Sequence, residues 1–254
     1  MSVKFNILSR SKQNMSRLIA IGGGGFLMEP ENQLLDRYCL ECTGKITPKV
    51  CFIPTASGDS EEFLSRFEQA FSRYSCVRSH LTFFRKPRAG SILLDNNLEQ
   101  NLLNQDLIYV GGGNTRSMLA VWQEWNLEEI LKKAWQSNVL LAGMSAGAIC
   151  WFEYGGSDST YCGELSSLPG LGLIHSSCTP HYDSELNRRP NFHSLIKNGQ
   201  LPSGIGIDDG AAVLFVGQQI AEVVASRPQA KAYTVELKDG AIIEKPIAAR
   251  YLAK

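Results

Sequence analysis

The chain has 254 residues, of which 44% are hydrophobic and 20% charged, and its formal net charge is zero. A chain of this length can bury a substantial core within one domain. Balanced charge without a basic stripe argues against nucleic acid or an anionic membrane as a partner. No apolar run approaches the roughly 18 residues that a membrane-spanning helix needs.

Residues 1–14 are polar and basic, and they lack the apolar centre of a secretory signal. Because Met15 comes just before the first predicted strand, we expect residues 1–14 to be a flexible extension and residues 15–254 to form the domain. The seven cysteines are an odd number scattered through apolar segments, which is typical of reduced thiols in the cytoplasm. We therefore expect a cytoplasmic protein that needs no metal or cofactor.

Predicted strands and helices alternate along the first two thirds of the chain. Short apolar runs predict strands at residues 18–21, 50–53, 77–83, 107–110, 139–142 and 176–179. Apolar residues at helical spacing predict helices at residues 61–74, 95–103, 115–122, 127–135 and 146–152. Such alternation indicates a mostly parallel sheet with helices on both faces, that is, one three-layer α/β domain.

The last quarter of the chain changes to short strands separated by Asp-Gly turns. These strands are predicted at residues 204–207, 211–215, 220–224, 232–236 and 242–247. We expect them to add antiparallel strands to the same sheet.

Residues 143–147 read Gly-Met-Ser-Ala-Gly and stand between a predicted strand and a predicted helix. Strand, tight turn and helix form the context of a nucleophile elbow, which lifts one hydroxyl above the sheet. The N-terminus of the following helix offers a free N–H to a developing oxyanion. The pattern therefore makes Ser145 the candidate nucleophile.

A nucleophilic serine needs a base, and the chain has four histidines. His80 lies in a predicted strand and His193 in a helical pattern, where structural roles are favoured. His181 comes just after a strand that ends at Pro180, where α/β sheets place their sites. His181 is thus the preferred base, with His175 at the other end of that strand as the alternative.

The acid that would orient the histidine is less sharply defined. Asp158 lies in a polar segment between the serine and the histidine, and Glu153 comes soon after the elbow. We favour Asp158 and keep Glu153 as the alternative. Asp208 and Asp209 end a predicted strand and could reach the site, but the Asp-Gly pair favours a turn there.

Two further glycine-rich segments follow predicted strands, at residues 22–25 and 111–113. Successive backbone N–H groups in such loops can bind an anion. Neither segment has the spacing of a P-loop or of a dinucleotide-binding loop. Three glycine loops at the ends of three strands predict a shared rim where backbone approaches substrate.

The Gly-Gly-Gly-Asn-Thr segment at 111–115, the Gly-Met-Ser-Ala-Gly-Ala segment at 143–148 and the Pro-His step at 180–181 together resemble the dipeptidase E and cyanophycinase family of serine peptidases. The resemblance extends from about residue 17 to about residue 224. It implies that Ser145 is the nucleophile and His181 the base, and by position it implies that Asp158 is the acid. The implied oxyanion donors are the N–H groups of Gly112, Gly113 and Ala146.

Family members cleave small acidic substrates such as dipeptides with an N-terminal aspartate. The resemblance therefore implies a small Asp-X peptide as the substrate and an arginine that binds its carboxylate. Arg188 and Arg189, soon after the base, and Arg116, beside the glycine loop, are the candidates, and Asn114 of that loop is placed with them. A homodimer is left open.

Two other functions remain open from the sequence. An esterase of the α/β-hydrolase fold shares the order serine, acid, histidine. Against it, the serine comes late in the chain, the gap to His181 is short, and much of the sheet still follows. The other is a non-catalytic relative that binds a small acidic ligand in the same rim.

Overall fold

The computed structural model describes residues 16–160 and 163–253, and the extension predicted at residues 1–14 lies outside this part of the chain. The described strands are β1 (Arg17–Ile21), β2 (Lys49–Ile53), β3 (Val77–Leu81), β4 (Ser91–Ile92), β5 (Leu107–Val110), β6 (Leu140–Met144), β7 (Phe152–Ser157), β8 (Ser166–Pro169), β9 (Ile174–Thr179), β10 (Gly204–Ile207), β11 (Ala211–Val216), β12 (Gln219–Ala225), β13 (Ala232–Lys238), β14 (Ala241–Ile247) and β15 (Arg250–Tyr251).

The described helices are α1 (Gly25–Met28), α2 (Leu34–Cys42), α3 (Glu61–Phe71), α4 (Leu98–Leu103), α5 (Thr115–Glu124), α6 (Leu127–Gln136), α7 (Ala146–Ile149) and α8 (Arg188–Lys197). None of them is long and apolar enough to cross a membrane. Most predicted elements are present with bounds within a few residues, and β5 and β10 coincide with the predicted runs.

The larger of two sheets has nine strands in the order β15-β12-β11-β1-β6-β5-β2-β3-β4. The strands from β1 to β4 across this order run parallel to their neighbours. The central strands β1, β6, β5 and β2 are almost entirely apolar and buried because helices cover both faces, as parallel sheets require. In β1, Leu18 and Ala20 face the cluster that includes residues of α4, α5, α6 and α7, whereas Ile19 and Ile21 face the cluster of α1, α2 and α3. This arrangement confirms the predicted α/β class with helices on both faces.

The second sheet has six strands in the order β14-β13-β10-β9-β7-β8. The prediction that all C-terminal strands extend one sheet is therefore wrong: β11 and β12 join the larger sheet, whereas β10, β13 and β14 join the smaller one. The two sheets share one apolar cluster, and α8 packs on β13 and β14. Because β9 and β10 are adjacent and parallel, their carboxyl ends meet at one edge.

The segment after the elbow also differs from the prediction. The helix expected at residues 146–152 ends at Ile149, and β7 begins at Phe152. β7 pairs with β8 and β9 and includes Gly155 and Gly156, which looked like part of a polar loop in the sequence. A Cβ on Gly155 would lie 2.3 Å from Cγ2 of Ile149. The glycine thus allows the strand to pack directly against α7.

Candidate active site

Ser145 lies at a sharp turn between β6 and α7. Its φ of 57° and ψ of −114° are unfavourable for a residue with a side chain, and such strain is typical of functional turns. A Cβ on Gly143 would lie 2.1 Å from the carbonyl oxygen of Gly147, and a Cβ on Gly147 would lie 2.2 Å from that of Val110. The two glycines of the motif are therefore required by close backbone contact, and the turn has the form of the predicted nucleophile elbow.

His181 follows β9 and reaches the serine. Its Nε2 lies 2.9 Å from Oγ of Ser145. The backbone of His181 has a φ of 54°, and the next residue, Tyr182, donates its N–H to the carbonyl of Ile207 at 3.1 Å. The turn at the end of β9 is thereby fixed to the end of β10, which directs the imidazole across the carboxyl edge toward the elbow.

The carboxylate that contacts the histidine belongs to Asp209, just after β10. Its Oδ1 lies 2.7 Å from Nδ1 of His181. The exposed fraction of the side chain falls from 15% for His181 to 6% for Asp209. The serine, the histidine and the aspartate therefore form one hydrogen-bonded row that runs from the half-buried hydroxyl into the protein.

Neither Asp158 nor Glu153, the two carboxylates expected to orient the base, is a hydrogen-bond partner of the His181 ring. Asp158 follows β7 and its Oδ2 instead accepts a hydrogen bond from Nη2 of Arg188 at 3.3 Å. Glu153 lies on β7 with its side chain exposed. The pairing of β9 with β10 accounts for this placement of Asp209, because it brings the end of β10 beside the histidine. The sequence showed Asp209 at a strand end, but not which strand would be its neighbour.

Two opposing effects set the acidity of Asp209. Burial raises the pKa of this carboxyl group, but the hydrogen bond from His181 and its positive charge lower the pKa. Ser184 and Arg227 add to the lowering, so that the pKa of Asp209 lies below its ordinary value. A carboxylate that stays ionised and hydrogen-bonded to Nδ1 is suited to hold an imidazolium.

The neighbouring Asp208 turns away from the histidine. Its Oδ2 accepts the N–H of Lys231 at 3.0 Å and faces the hydroxyl of Tyr233 at 3.5 Å. Burial, followed by the negative charge of Asp183, raises the pKa of Asp208 to about 6. The two adjacent aspartates thus differ in both direction and acidity, and Asp209 is the one that faces the site.

The three predicted oxyanion donors lie on the glycine loop and on the elbow itself. A Cβ on Gly112 would lie 3.2 Å from Cβ of Ser145, which puts the glycine loop directly against the elbow. Gly113 has a φ of 137°, and a Cβ there would meet the carbonyl oxygen of Ala56 at 2.2 Å. Within residues 16–160 and 163–253, the N–H groups of Gly112, Gly113 and Ala146 have no protein acceptor. They are available to an incoming oxygen.

The residues after the glycine loop begin α5. Oδ1 of Asn114 accepts the N–H of Ser117 at 2.9 Å and so caps the helix, while its own N–H binds the carbonyl of Ala56. Arg116 is exposed, and its Nε donates to the carbonyl of Ser159 at 3.3 Å. In the described part of the chain the terminal nitrogens of this guanidinium form no ion pair with a carboxylate, unlike those of Arg188 and Arg189.

The other two predicted arginines are paired within the protein. Arg188 is buried and contacts the carboxylates of Asp158 and Glu185. Arg189 pairs with Glu244, and its guanidinium lies 4.6 Å from the ring centre of Tyr233. Their charges are compensated, so neither matches the expected free cation for a substrate carboxylate.

The remaining histidines do not contact Ser145. His80 is buried and binds Oγ of Ser91 at 2.9 Å, and His193 binds Glu244 at 2.8 Å. The N–H of His175 binds the side chain of Gln218 at 2.9 Å. Across residues 16–160 and 163–253, no three His, Cys, Asp or Glu side chains are grouped in a way that could hold a metal ion.

An elbow serine on a mostly parallel α/β sheet, with a histidine at hydrogen-bond distance, is the form that a serine-type peptidase takes. The comparison with known families gives the same class. The model of peptidase family S51 matches residues 18–223, and this chain belongs to that family. It is a serine-type peptidase, and the resemblance seen in the sequence is confirmed.

Two relatives and one solved structure cover nearly the whole chain. The peptidase YgaJ of Bacillus subtilis (strain 168) is 48% identical over 238 residues, which cover 94% of this chain and 100% of YgaJ. The cyanophycinase of Geminocystis herdmanii (strain PCC 6308) is 24% identical over 235 residues, covering 90% of this chain and 83% of that protein. A crystal structure of a peptidase from an acI-B1 Actinobacterium shares the fold with a TM-score of 0.66 at 21% identity, covering 92% of this chain and 95% of that chain.

Proposed function

We propose that Ser145, His181 and Asp209 are the catalytic triad of this peptidase. What supports the proposal is the hydrogen-bonded row, with 2.9 Å between the serine and the histidine and 2.7 Å between the histidine and the aspartate. In such a row the aspartate fixes the tautomer that bears a proton on Nδ1, so that Nε2 is free to accept the serine proton.

The reaction then follows from the positions of these groups. Oγ of Ser145 attacks the carbonyl carbon of the scissile peptide bond while its proton moves to Nε2 of His181. The carbonyl oxygen becomes an oxyanion, which the N–H groups of Gly112, Gly113 and Ala146 stabilise. The imidazolium gives its proton to the leaving nitrogen, the C–N bond breaks, and an acyl-enzyme remains. Water deprotonated by His181 hydrolyses that ester and restores the serine.

For the substrate, we propose a small peptide with an acidic N-terminal residue, bound through Arg116. Arg116 stands in the first turn of α5, immediately after the glycine loop that borders the serine. Its Nε is anchored by the carbonyl of Ser159, which leaves the outer edge of the guanidinium for a carboxylate. Among the three arginines expected from the sequence to bind the substrate, it is the one without an internal carboxylate partner in the described residues.

The proposal is tested with a panel of Asp-X, Glu-X and neutral dipeptides, a simple aryl ester, and the Ser145→Ala variant. We expect hydrolysis of the acidic dipeptides by the wild type and a loss of roughly four to six decades in kcat for the variant. Preference for the ester over every peptide would favour an esterase. Failure of a serine-directed fluorophosphonate to label the wild type at Ser145 would favour a non-catalytic binding protein.

A further inference from the structure

The four residues from His181 to Ser184 form a loop that contacts both the carboxylate and the backbone of Asp209. His181 binds the side chain of Asp209 through Nδ1. Two residues later, Oδ1 of Asp183 accepts the backbone N–H of Asp209 at 2.8 Å. Burial, which raises the pKa of Asp209, and His181, which lowers it, have the largest effects on this carboxyl group. Ser184 adds a smaller effect that also lowers the pKa. One short segment therefore holds both the backbone and the carboxylate of the acid.

These contacts close a ring. Starting at the backbone of His181, the ring passes through the side chain of Asp183, the N–H and carboxylate of Asp209, and the imidazole of His181. A second connection, from the N–H of Tyr182 to the carbonyl of Ile207, joins the same two segments. A ring closed by two hydrogen bonds restricts the acid and the base relative to each other, which neither bond does alone.

We propose that Asp183 is a positioning residue for the reaction: its carboxylate holds the backbone of Asp209 so that Oδ1 remains on Nδ1 of His181. This inference rests on the proposed triad. Asp183 is exposed, so its single hydrogen bond contributes little to the stability of the fold. Catalysis is more sensitive than folding to such a contact, because a displacement of about 1 Å in a catalytic group can reduce the rate by roughly a hundredfold.

Asp183 also carries a negative charge, which is felt by Asp208 as the second cause of its raised pKa. Charge and hydrogen bonding can be separated with two variants. Asp183→Asn keeps an oxygen that accepts the N–H of Asp209 but removes the charge, whereas Asp183→Ala removes both. A positioning role through the hydrogen bond requires that the two variants differ.

A matched control exists at the opposite edge of the larger sheet. Oδ2 of Asp106 accepts the backbone N–H of Lys49 at 2.9 Å, which joins the amino ends of β5 and β2. This is the same kind of bond, between an aspartate and the N–H of a distant segment, but it lies far from the carboxyl edge that bears Ser145. Asp106→Ala should lower the Tm about as much as Asp183→Ala does while leaving kcat unchanged.

The experiment measures kcat and KM on the best dipeptide, and the rate at which a fluorophosphonate labels Ser145 as a function of pH. We expect Asp183→Ala to reduce kcat and the labelling rate roughly ten- to a hundredfold with KM nearly unchanged. We expect Asp183→Asn to stay within about threefold of the wild type, because it keeps the hydrogen bond.

Equal losses in Asp183→Asn and Asp183→Ala, or wild-type rates in Asp183→Ala, would overturn the inference. If Asp106→Ala lost as much activity as Asp183→Ala at an equal fall in Tm, that result would also overturn the inference, because it would reduce the role of Asp183 to stability. The proposed function fails separately: active Ser145→Ala would refute the triad whatever Asp183 does. Inactive Ser145→Ala with fully active Asp183→Ala would refute only the positioning role.

Discussion

Gly23 packs directly against the carboxylate of Asp209. A Cβ on Gly23 would lie 2.0 Å from Oδ1 of Asp209 and 3.1 Å from Cε1 of His181. The two segments are also joined by the N–H of Gly210, which binds the carbonyl of Gly23 at 2.8 Å. The glycine-rich loop after β1 therefore forms the wall behind the acid and the base, where even one methyl group has no space.

The first prediction concerns this contact. Gly23→Ala should reduce kcat by roughly ten- to a thousandfold, because the methyl group must displace the carboxylate or the imidazole from its position. A double-mutant cycle with Asp209→Ala isolates the cause. If the clash acts through the carboxylate, Gly23→Ala should cost much less in the Asp209→Ala background. Additive losses in that cycle, with a reduced Tm, would show that the substitution disturbs the β1 loop as a whole.

The second prediction distinguishes the acids. Asp209→Asn should reduce kcat by roughly a thousandfold or more with little change in KM, because the wrong tautomer of His181 is then favoured. Asp158→Asn and Glu153→Gln should retain most of the activity, since neither residue contacts the histidine. Steady-state kinetics of the three purified variants on one dipeptide provide the measurement. If Asp158→Asn were inactive and Asp209→Asn active, Asp158 and not Asp209 would be the acid of the triad.

The third prediction concerns specificity. Arg116→Ala should weaken kcat/KM for Asp-X peptides by roughly ten- to a hundredfold, because an unpaired substrate carboxylate loses a charged hydrogen bond. Neutral dipeptides should be affected little. Arg37→Ala is a suitable control, because Arg37 is a partly exposed arginine on α2 that pairs with Glu41. If Arg116→Ala leaves the ratio of acidic to neutral hydrolysis as it was, Arg116 does not bind the substrate carboxylate.

Local patterns carry much of what the sequence can reveal. The run at residues 107–110 coincides with β5 because it is apolar, short and buried on both faces. The elbow and the strand-end histidine are recognisable because each depends on a few consecutive residues. These features can be read without knowing which strands are neighbours.

Asp209 could not be assigned in that way, because its role depends on the non-local pairing of β9 with β10. Its sequence signal was ambiguous for a physical reason as well. The Asp-Gly pair does form a turn, with Gly210 at a φ of 79°, and the same turn brings the carboxylate to His181. β7 was missed because two glycines inside a strand weaken its pattern. Gly155 is required by the close approach to α7, whereas Gly156 lies against Thr179 and Phe192.

The fourth prediction concerns stability as a function of pH and rests on Asp36, which is buried in α2 beneath the β1 loop. Its Oδ2 accepts the N–H of Phe26 at 2.8 Å, and its Oδ1 has no partner in the described residues. Burial raises the pKa of Asp36 from 3.8 to about 7, against the opposing effect of the hydrogen bond from Phe26. The folded protein thus binds a proton here over a range in which the unfolded chain has already released it.

The sign follows from that difference. Between pH 4 and pH 7 the folded state holds more protons at Asp36, so this residue makes the free energy of unfolding fall as pH rises, by up to about 1.4 kcal/mol per pH unit. Asp36→Asn removes the titration and keeps an oxygen for Phe26. Its stability relative to the wild type should therefore increase from pH 5 to pH 8. Asp36→Ala should show the same trend from a lower starting value, because it also loses the hydrogen bond. Urea unfolding of the three proteins at pH 5, 6, 7 and 8 measures this, and parallel pH curves for wild type and Asp36→Asn would refute the raised pKa.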